Sequence, residues 1–207
     1  MAAWSISASL SWKPVSVTSV RESPLDGGKV ELIVCRPAVD ERAVLAEGAL
    51  DADAGLAGDT WQTRGSTRTA DGSPHPGKQL TVMNSRAALL VARDPDRRMQ
   101  AGDQLYVDLD LSPANLPPGA RLALGSAVIE VTDQPHLGCA EFAARFGKDA
   151  WRFVNSKVGR ELRLRGLNAR VVVAGTVRPG DVIRKLPADP IITVRDEKRQ
   201  EGPPLTA

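Results

Sequence analysis

Cys139 is the residue of this chain best suited to chemistry. It stands in His136-Leu137-Gly138-Cys139-Ala140-Glu141-Phe142, where a strand and turn give way to a short helix over 140–146, ended by Gly147. A thiol at a helix start faces unpaired backbone N–H groups and the positive end of the helix dipole. Both favour the charged thiolate and the binding of anions or metals. His136, three residues earlier, has the reach of a base or a donor. The competing reading is a small buried core residue, the usual fate of a lone cysteine. The other cysteine, Cys35, lies in an apolar run and reads as core. One catalytic cysteine and two histidines, His75 and His136, fall short of a closed zinc site.

The segment after the thiol is basic. Arg145, Lys148, Arg152, Lys157, Arg160, Arg163, Arg165 and Arg170 face only Asp149 and Glu161. The alternation Leu162-Arg163-Leu164-Arg165 predicts a strand with both arginines on one face. Paired donors of that kind match phosphate, the alternative being a solvated barrel exterior. Asp59 and Asp181 each follow glycine and read first as turn residues. Asp59 also borders a long polar stretch over 55–78, an uncommon length for a loop unless it has a function. Trp61 and Trp151 suit either packing or a ligand pocket. No Walker or dinucleotide glycine pattern occurs, and no Ser-His-Asp set can be singled out.

The elements that would position these residues are mostly strands. Residues 29–35, 79–83, 104–111, 121–124, 127–132, 169–174 and 182–184 read as strands, with a hairpin turn at Gly125-Ser126. Residues 16–20 read as an edge strand and 42–50 as a short helix or ordered loop. Residues 85–93 read as a helix capped by Ser85, and 150–154 as the start of another. Many short strands with Gly/Pro turns and few helices predict a mainly β fold, a closed or nearly closed barrel with short peripheral helices. The expected organisation is an N-terminal extension over 1–27, a barrel over 28–186 and a charged, Pro-rich tail over 187–207.

Composition narrows the function classes. The chain has 207 residues, a net charge of +2 and 4% aromatic residues. So small a charge and so few stacking platforms argue against nucleic acid. No run approaches the roughly 20 apolar residues of a membrane span, and no export signal opens the chain. Cytoplasm is the expected location, and two cysteines fit a reducing compartment.

In order and spacing the segments resemble the molybdenum-cofactor sulfurase C-terminal domain family, known as MOSC. The series runs from Gly55-Leu56-Ala57-Gly58-Asp59 through 79–83, Gly102-Asp103-Gln104-Leu105, 116–122 and 129–132 to Cys139. It closes with 165–171 and Gly175-Thr176-Val177-Arg178-Pro179-Gly180-Asp181. The resemblance implies a β-barrel whose characteristic cysteine matches Cys139, acting as molybdenum ligand or persulfide sulfur carrier. It implies a molybdenum–pterin cofactor, with His136, Arg163, Arg165 and Asp59 as cofactor-binding residues, and metal–sulfur or N-hydroxyl-reducing chemistry. A cysteine desulfurase or a redox protein would be the partner. Pyridoxal phosphate enters only by family association, since no aminotransferase-like domain is expected ahead of the barrel. The chain departs from the family where many members have Gly-Glu-Asn and this one has Gly102-Asp103-Gln104. It departs again where many place Pro directly before the cysteine, a position held here by Gly138. The reading from another class is a non-catalytic barrel that binds a phosphorylated ligand or partner and keeps Cys139 as structure.

Overall fold

The computed structural model describes residues 15–187. Residues 1–14 of the expected extension and 188–207 of the expected tail lie outside the described residues.

Seven strands close into a barrel. In ring order they are β1 (Gly28–Cys35), β6 (Leu105–Asp108), β5 (Leu80–Asn84), β9 (Leu167–Val173), β8 (Ala127–Val131), β7 (Arg121–Leu124) and β11 (Val182–Lys185), which pairs again with β1. Every pairing in the ring is antiparallel except β5 with β6. Closure rests on a short antiparallel seam, Gly28↔Ile183 and Lys29↔Val182. Gly28 must be glycine there, because a Cβ would come within 2.1 Å of the Asp108 carbonyl oxygen. β2 (Ala43–Leu45) extends the edge of β1, and a small second sheet joins β10 (Gly175–Val177), β3 (Gly48–Asp51) and β4 (Gly55–Leu56).

Two apolar layers result. The barrel interior holds Ile33, Leu80, Val82, Leu105, Val107, Leu122, Ile129, Ala169 and Ile183, among others. Each such side chain removed from water is worth about 1.5–3 kcal/mol. The outer layer sets Val34, Met83 and Tyr106 against Ala87, Ala88, Phe142, Val154 and Leu164. Strands β5 and β6 and the second half of β1 are therefore covered on both sides by side chains, while β7 and β8 alternate buried and half-exposed positions. Alternation over 104–111 is visible in sequence, yet Tyr106 on the other face is buried as well.

The helices are α1 (Val17–Arg21), α2 (Trp61–Arg64), α3 (Ser85–Ala92), α4 (Ala140–Phe146), α5 (Lys148–Asn155) and α6 (Lys157–Glu161). Several local expectations need correcting. Residues 16–20 form a helix rather than an edge strand, because Ser16 and Ser19 cap each other's backbone in a capping box. Residues 42–50 hold β2 and β3, not a helix. Asn84, rather than Ser85, caps α3, accepting from the Ala87 N–H. Residues 162–165 are a turn after α6, with Arg163 at φ 45°, so the predicted strand with two parallel arginines does not form. The hairpin at Gly125-Ser126 forms as expected, pairing Leu124 with Ala127.

Candidate functional site

Cys139 is the N-cap of α4 and is exposed, so it is not the small buried core residue of the competing reading. The loop before it is pinned by α5. The Gly138 N–H donates to Asn155 Oδ1 at 3.0 Å, while Trp151 Nε1 and Asn155 Nδ2 donate to the Gly138 carbonyl at 2.8 and 3.1 Å. Proline has no N–H, so it could not make the first of these bonds. This is the physical content of the chain's departure at the residue before the cysteine. The thiol itself donates to the Glu141 carboxylate, which is held below the usual carboxylate range chiefly by that bond.

The thiol opens onto a cavity of about 530 Å³ whose wall carries five arginines, Arg36, Arg42, Arg64, Arg145 and Arg165, besides Asp40 and Glu141. Two of these arginines are fixed by buried aspartates. Asp59 accepts from Arg36 Nε and Nη2, both at 2.8 Å, and from the backbone N–H groups of Arg36 and Trp61. Arg36 Nη1 donates to the Gly102 carbonyl. Asp103, whose side chain is 0% exposed, accepts from Arg165 Nη1 at 2.5 Å on one oxygen and shares a 2.8 Å bond with His136 Nε2 on the other. Arg165 Nη2 donates to the Ala101 carbonyl, and its guanidinium lies over the Phe142 ring of α4, 5.1 Å from the centroid. The helix that begins at Cys139 thus packs directly on the Arg165 charge.

Electrostatics in this corner are tightly coupled. Burial opposes the charge on Asp103, but Arg165 and His136 outweigh it and hold the carboxyl below its ordinary range. Burial, then the Arg165 charge, pushes His136 down against the pull of Asp103. Burial and the charges of Arg145 and Arg36 likewise depress Arg42. Arg42 Nε and Arg165 Nε are buried and have no hydrogen-bond partner. An unpaired buried donor typically costs about 1–3 kcal/mol, so two of them on one wall mark a place where an acceptor belongs.

Of the residues singled out in the sequence, Cys139, Arg165 and, through Arg36, Asp59 belong to this cavity. His136 and Arg163 do not line it. They line a smaller cavity of about 260 Å³ that shares Arg165 with it. Arg163 is occupied with the Leu111 and Leu116 carbonyls, at 3.2 and 2.7 Å. Trp61 is buried beside the site, and Trp151 braces Gly138. Arg36, Arg42, Arg64 and Asp103 were not singled out as site residues. Only Asp103 left a trace, in its place beside Gly102 in a family motif. No group of three or more His, Cys, Asp or Glu arranged for a metal ion occurs among the described residues.

No family model matches the chain, and no curated protein matches it. Solved structures do. The fold is similar to that of a hypothetical protein, with TM-score 0.53 and 20% identity over 81% of this chain and 70% of that one. It is similar to YiiM from Escherichia coli, with TM-score 0.51 and 20% identity over 77% and 70% of the two chains. It is also similar to the YUAD protein from Bacillus subtilis, with TM-score 0.52 and 17% identity over 75% and 93%. At these identities the likeness shows the fold alone, a seven-stranded barrel with short helices. Among the described residues no helix is long and apolar enough to cross a membrane.

Proposed function

We propose that this MOSC-like barrel binds an anionic, metal- or sulfur-bearing ligand through Cys139, as the ligand of a molybdenum–pterin cofactor or as a persulfide carrier. One observation carries the reading: an exposed thiol shares a cavity wall with five arginines, two of which keep a buried N–H unpaired. The donor set fits the cofactor. A soft thiolate suits molybdenum, and guanidinium forks suit the phosphate of the pterin. Cys139 would hold the metal, with Arg42 and Arg165 on the anionic group. Bound there, the cofactor would supply two-electron redox chemistry such as N-hydroxyl reduction.

The chain's own residues do the rest. Glu141, bonded to the thiol, orients it at the cavity wall. Asp103 and Phe142 fix the Arg165 guanidinium from two sides, so that side chain needs no further ordering when the ligand arrives. As a carrier, the Cys139 thiolate takes the terminal sulfur of a donor persulfide, and the donor leaves as its thiolate. A cysteine desulfurase would be a suitable donor.

The alternative keeps the basic cavity as a site for a phosphorylated ligand and gives the thiol no part. Cys139→Ser separates the two. The variant should keep a near-parental thermal midpoint, since the side chain is exposed. After expression in a molybdenum-replete host, it should lose bound molybdenum or transferable sulfur, measured by elemental analysis and cyanolysis. A variant that holds as much of both as its parent would refute the thiol reading and leave the arginine cavity to a phosphorylated ligand.

A further inference from the structure

A second basic groove adjoins the first. Its wall carries Trp61, Arg64, Arg68, His75 and Lys78, and it shares Arg64 and Glu141 with the Cys139 cavity. Three observations on these residues point to one kind of ligand.

The first is an unpaired donor. Trp61 is buried, and its Nε1–H bonds to nothing. Among the described residues four buried side-chain polar atoms lack a partner. Three of them, on Arg42, Trp61 and Arg165, belong to residues lining these two adjoining spaces. Orphan donors scattered by chance would not gather so.

The second is charge. Three cations, Arg64, Arg68 and Lys78, face one carboxylate, and that carboxylate is already engaged with the Cys139 thiol. The excess matches a dianion. Lys78 feels the crowding, since burial and the Arg68 charge both push it below its ordinary value.

The third is order without an internal purpose. The loop over 65–73 ties itself together. Ser66 N–H donates to the Gly72 carbonyl, Arg68 N–H to Ser66 Oγ, and Thr69 Oγ1 to the Ser66 and Ser73 carbonyls. His75 Nδ1 accepts from the Gly77 N–H at 3.1 Å, which leaves the ring proton of the neutral imidazole on Nε2 as a further donor. Thr132 Oγ1 then clamps the Gly77 carbonyl to the barrel at 2.6 Å. These bonds hold the backbone and leave the charged ends of Arg68 and Lys78 to the groove.

The geometry points to a phosphate-monoester subsite at this groove, in which Arg64, Arg68 and Lys78 neutralise the dianion and Trp61 Nε1–H and His75 Nε2–H donate to its oxygens. A monoester presents three terminal oxygens and two charges, whereas a diester presents two oxygens and one charge, too few for this wall. The inference does not depend on what Cys139 does, because none of the five donors named, on Trp61, Arg64, Arg68, His75 and Lys78, bonds to its sulfur.

The test follows the Trp61 indole N–H in proton–nitrogen spectra, assigned by its loss in Trp61→Phe, during titration with inorganic phosphate, methyl phosphate and dimethyl phosphate. Phosphate and methyl phosphate should shift the Trp61 signal saturably and with similar affinity, and dimethyl phosphate should bind about ten-fold more weakly or worse. Arg68→Gln with Lys78→Gln should weaken methyl phosphate by at least about ten-fold, since two charge-assisted contacts are lost. Cys139→Ser should leave the titration unchanged whatever it does to molybdenum or sulfur. A silent Trp61 signal, parental affinity in the double variant, or equal binding of the diester would overturn the subsite. Loss of the response in Cys139→Ser would move the phosphate to the neighbouring cavity and overturn it too.

Discussion

Arg36 and Arg165 flank the same cavity and are built alike, yet they have been left in different states. Each guanidinium is held by a buried aspartate that follows a glycine with positive φ, Gly58 at +81° and Gly102 at +87°. In the Arg36 corner every guanidinium nitrogen is used. Asp59 takes four hydrogen bonds, and the remaining Arg36 nitrogen finds the Gly102 carbonyl. In the Arg165 corner Asp103 divides itself between an arginine and a histidine, and Arg165 Nε is left over. The first corner is finished structure that presents a charge. The second is a charge with a donor in reserve and a titratable neighbour. The same residue types thus serve as scaffold or as site, depending on whether their hydrogen bonds close among themselves.

The sharpest break of this comparison is Asp59→Ala. It strands the Arg36 charge, only 9% exposed, with no carboxylate. Removing one partner of a buried pair typically costs about 3–5 kcal/mol, so urea denaturation should show a loss of that order. A loss below about 1 kcal/mol, the range of exposed pairs, would mean that the corner is not the closed scaffold described.

The second prediction concerns pH and belongs to the Arg165 corner. His136 is held below its ordinary 6.5 in the folded protein, chiefly by burial and then by Arg165. Below 6.5 the unfolded chain therefore binds more protons than the folded one, and stability falls with pH until the folded value is reached. Asp103 sits below its ordinary 3.8, so its contribution is complete above 3.8 and disappears as pH drops through its folded value. Urea midpoints measured across this range should fall in two steps. His136→Gln should remove the upper step and keep the lower. An unchanged upper step in that variant would assign the slope to other groups.

The smallest effect is expected at Arg163, which belongs to neither corner. Arg163→Ala loses bonds to two carbonyls of the 111–116 turn and should cost about 1 kcal/mol in stability. Molybdenum, sulfur and phosphate binding should not change. A variant that binds less of any of them would return Arg163 to the ligand site.

The barrel was legible in the sequence because its strands are short, rich in β-branched residues and punctuated by Gly and Pro. The hairpin at Gly125-Ser126 and the helix ended by Gly147 show how directly such signals translate. The misread segments share a physical cause. Residues 16–20 are rich in β-branched and small residues, but a local serine capping box decided for helix. Leu162-Arg163-Leu164-Arg165 alternates like a strand, but α6 ends there with Arg163 in the left-handed region, and the two arginines part company. For the site, sequence could offer Cys139 and Arg165. It could not bring in Arg36, Arg42 and Arg64, which lie more than 70 residues before the cysteine and meet it only when the barrel closes. Nor could it show that Asp103, one of the chain's departures from the family pattern, bonds to His136 just ahead of the other.

The seam between β1 and β11 has a consequence for how the protein is made. The ring is closed by its first and last strands, whose few paired residues lie more than 150 positions apart in the chain. Contacts that distant form late and slowly, since the intervening chain must first be brought to order. On the ribosome, β5, β6, β7, β8 and β9 can pair as they emerge, but the free edges of β1 and β7 must wait for residues 182–185. Until then those edges are open to other chains, so the interval between synthesis of β9 and of β11 is when this protein is most exposed to misassembly.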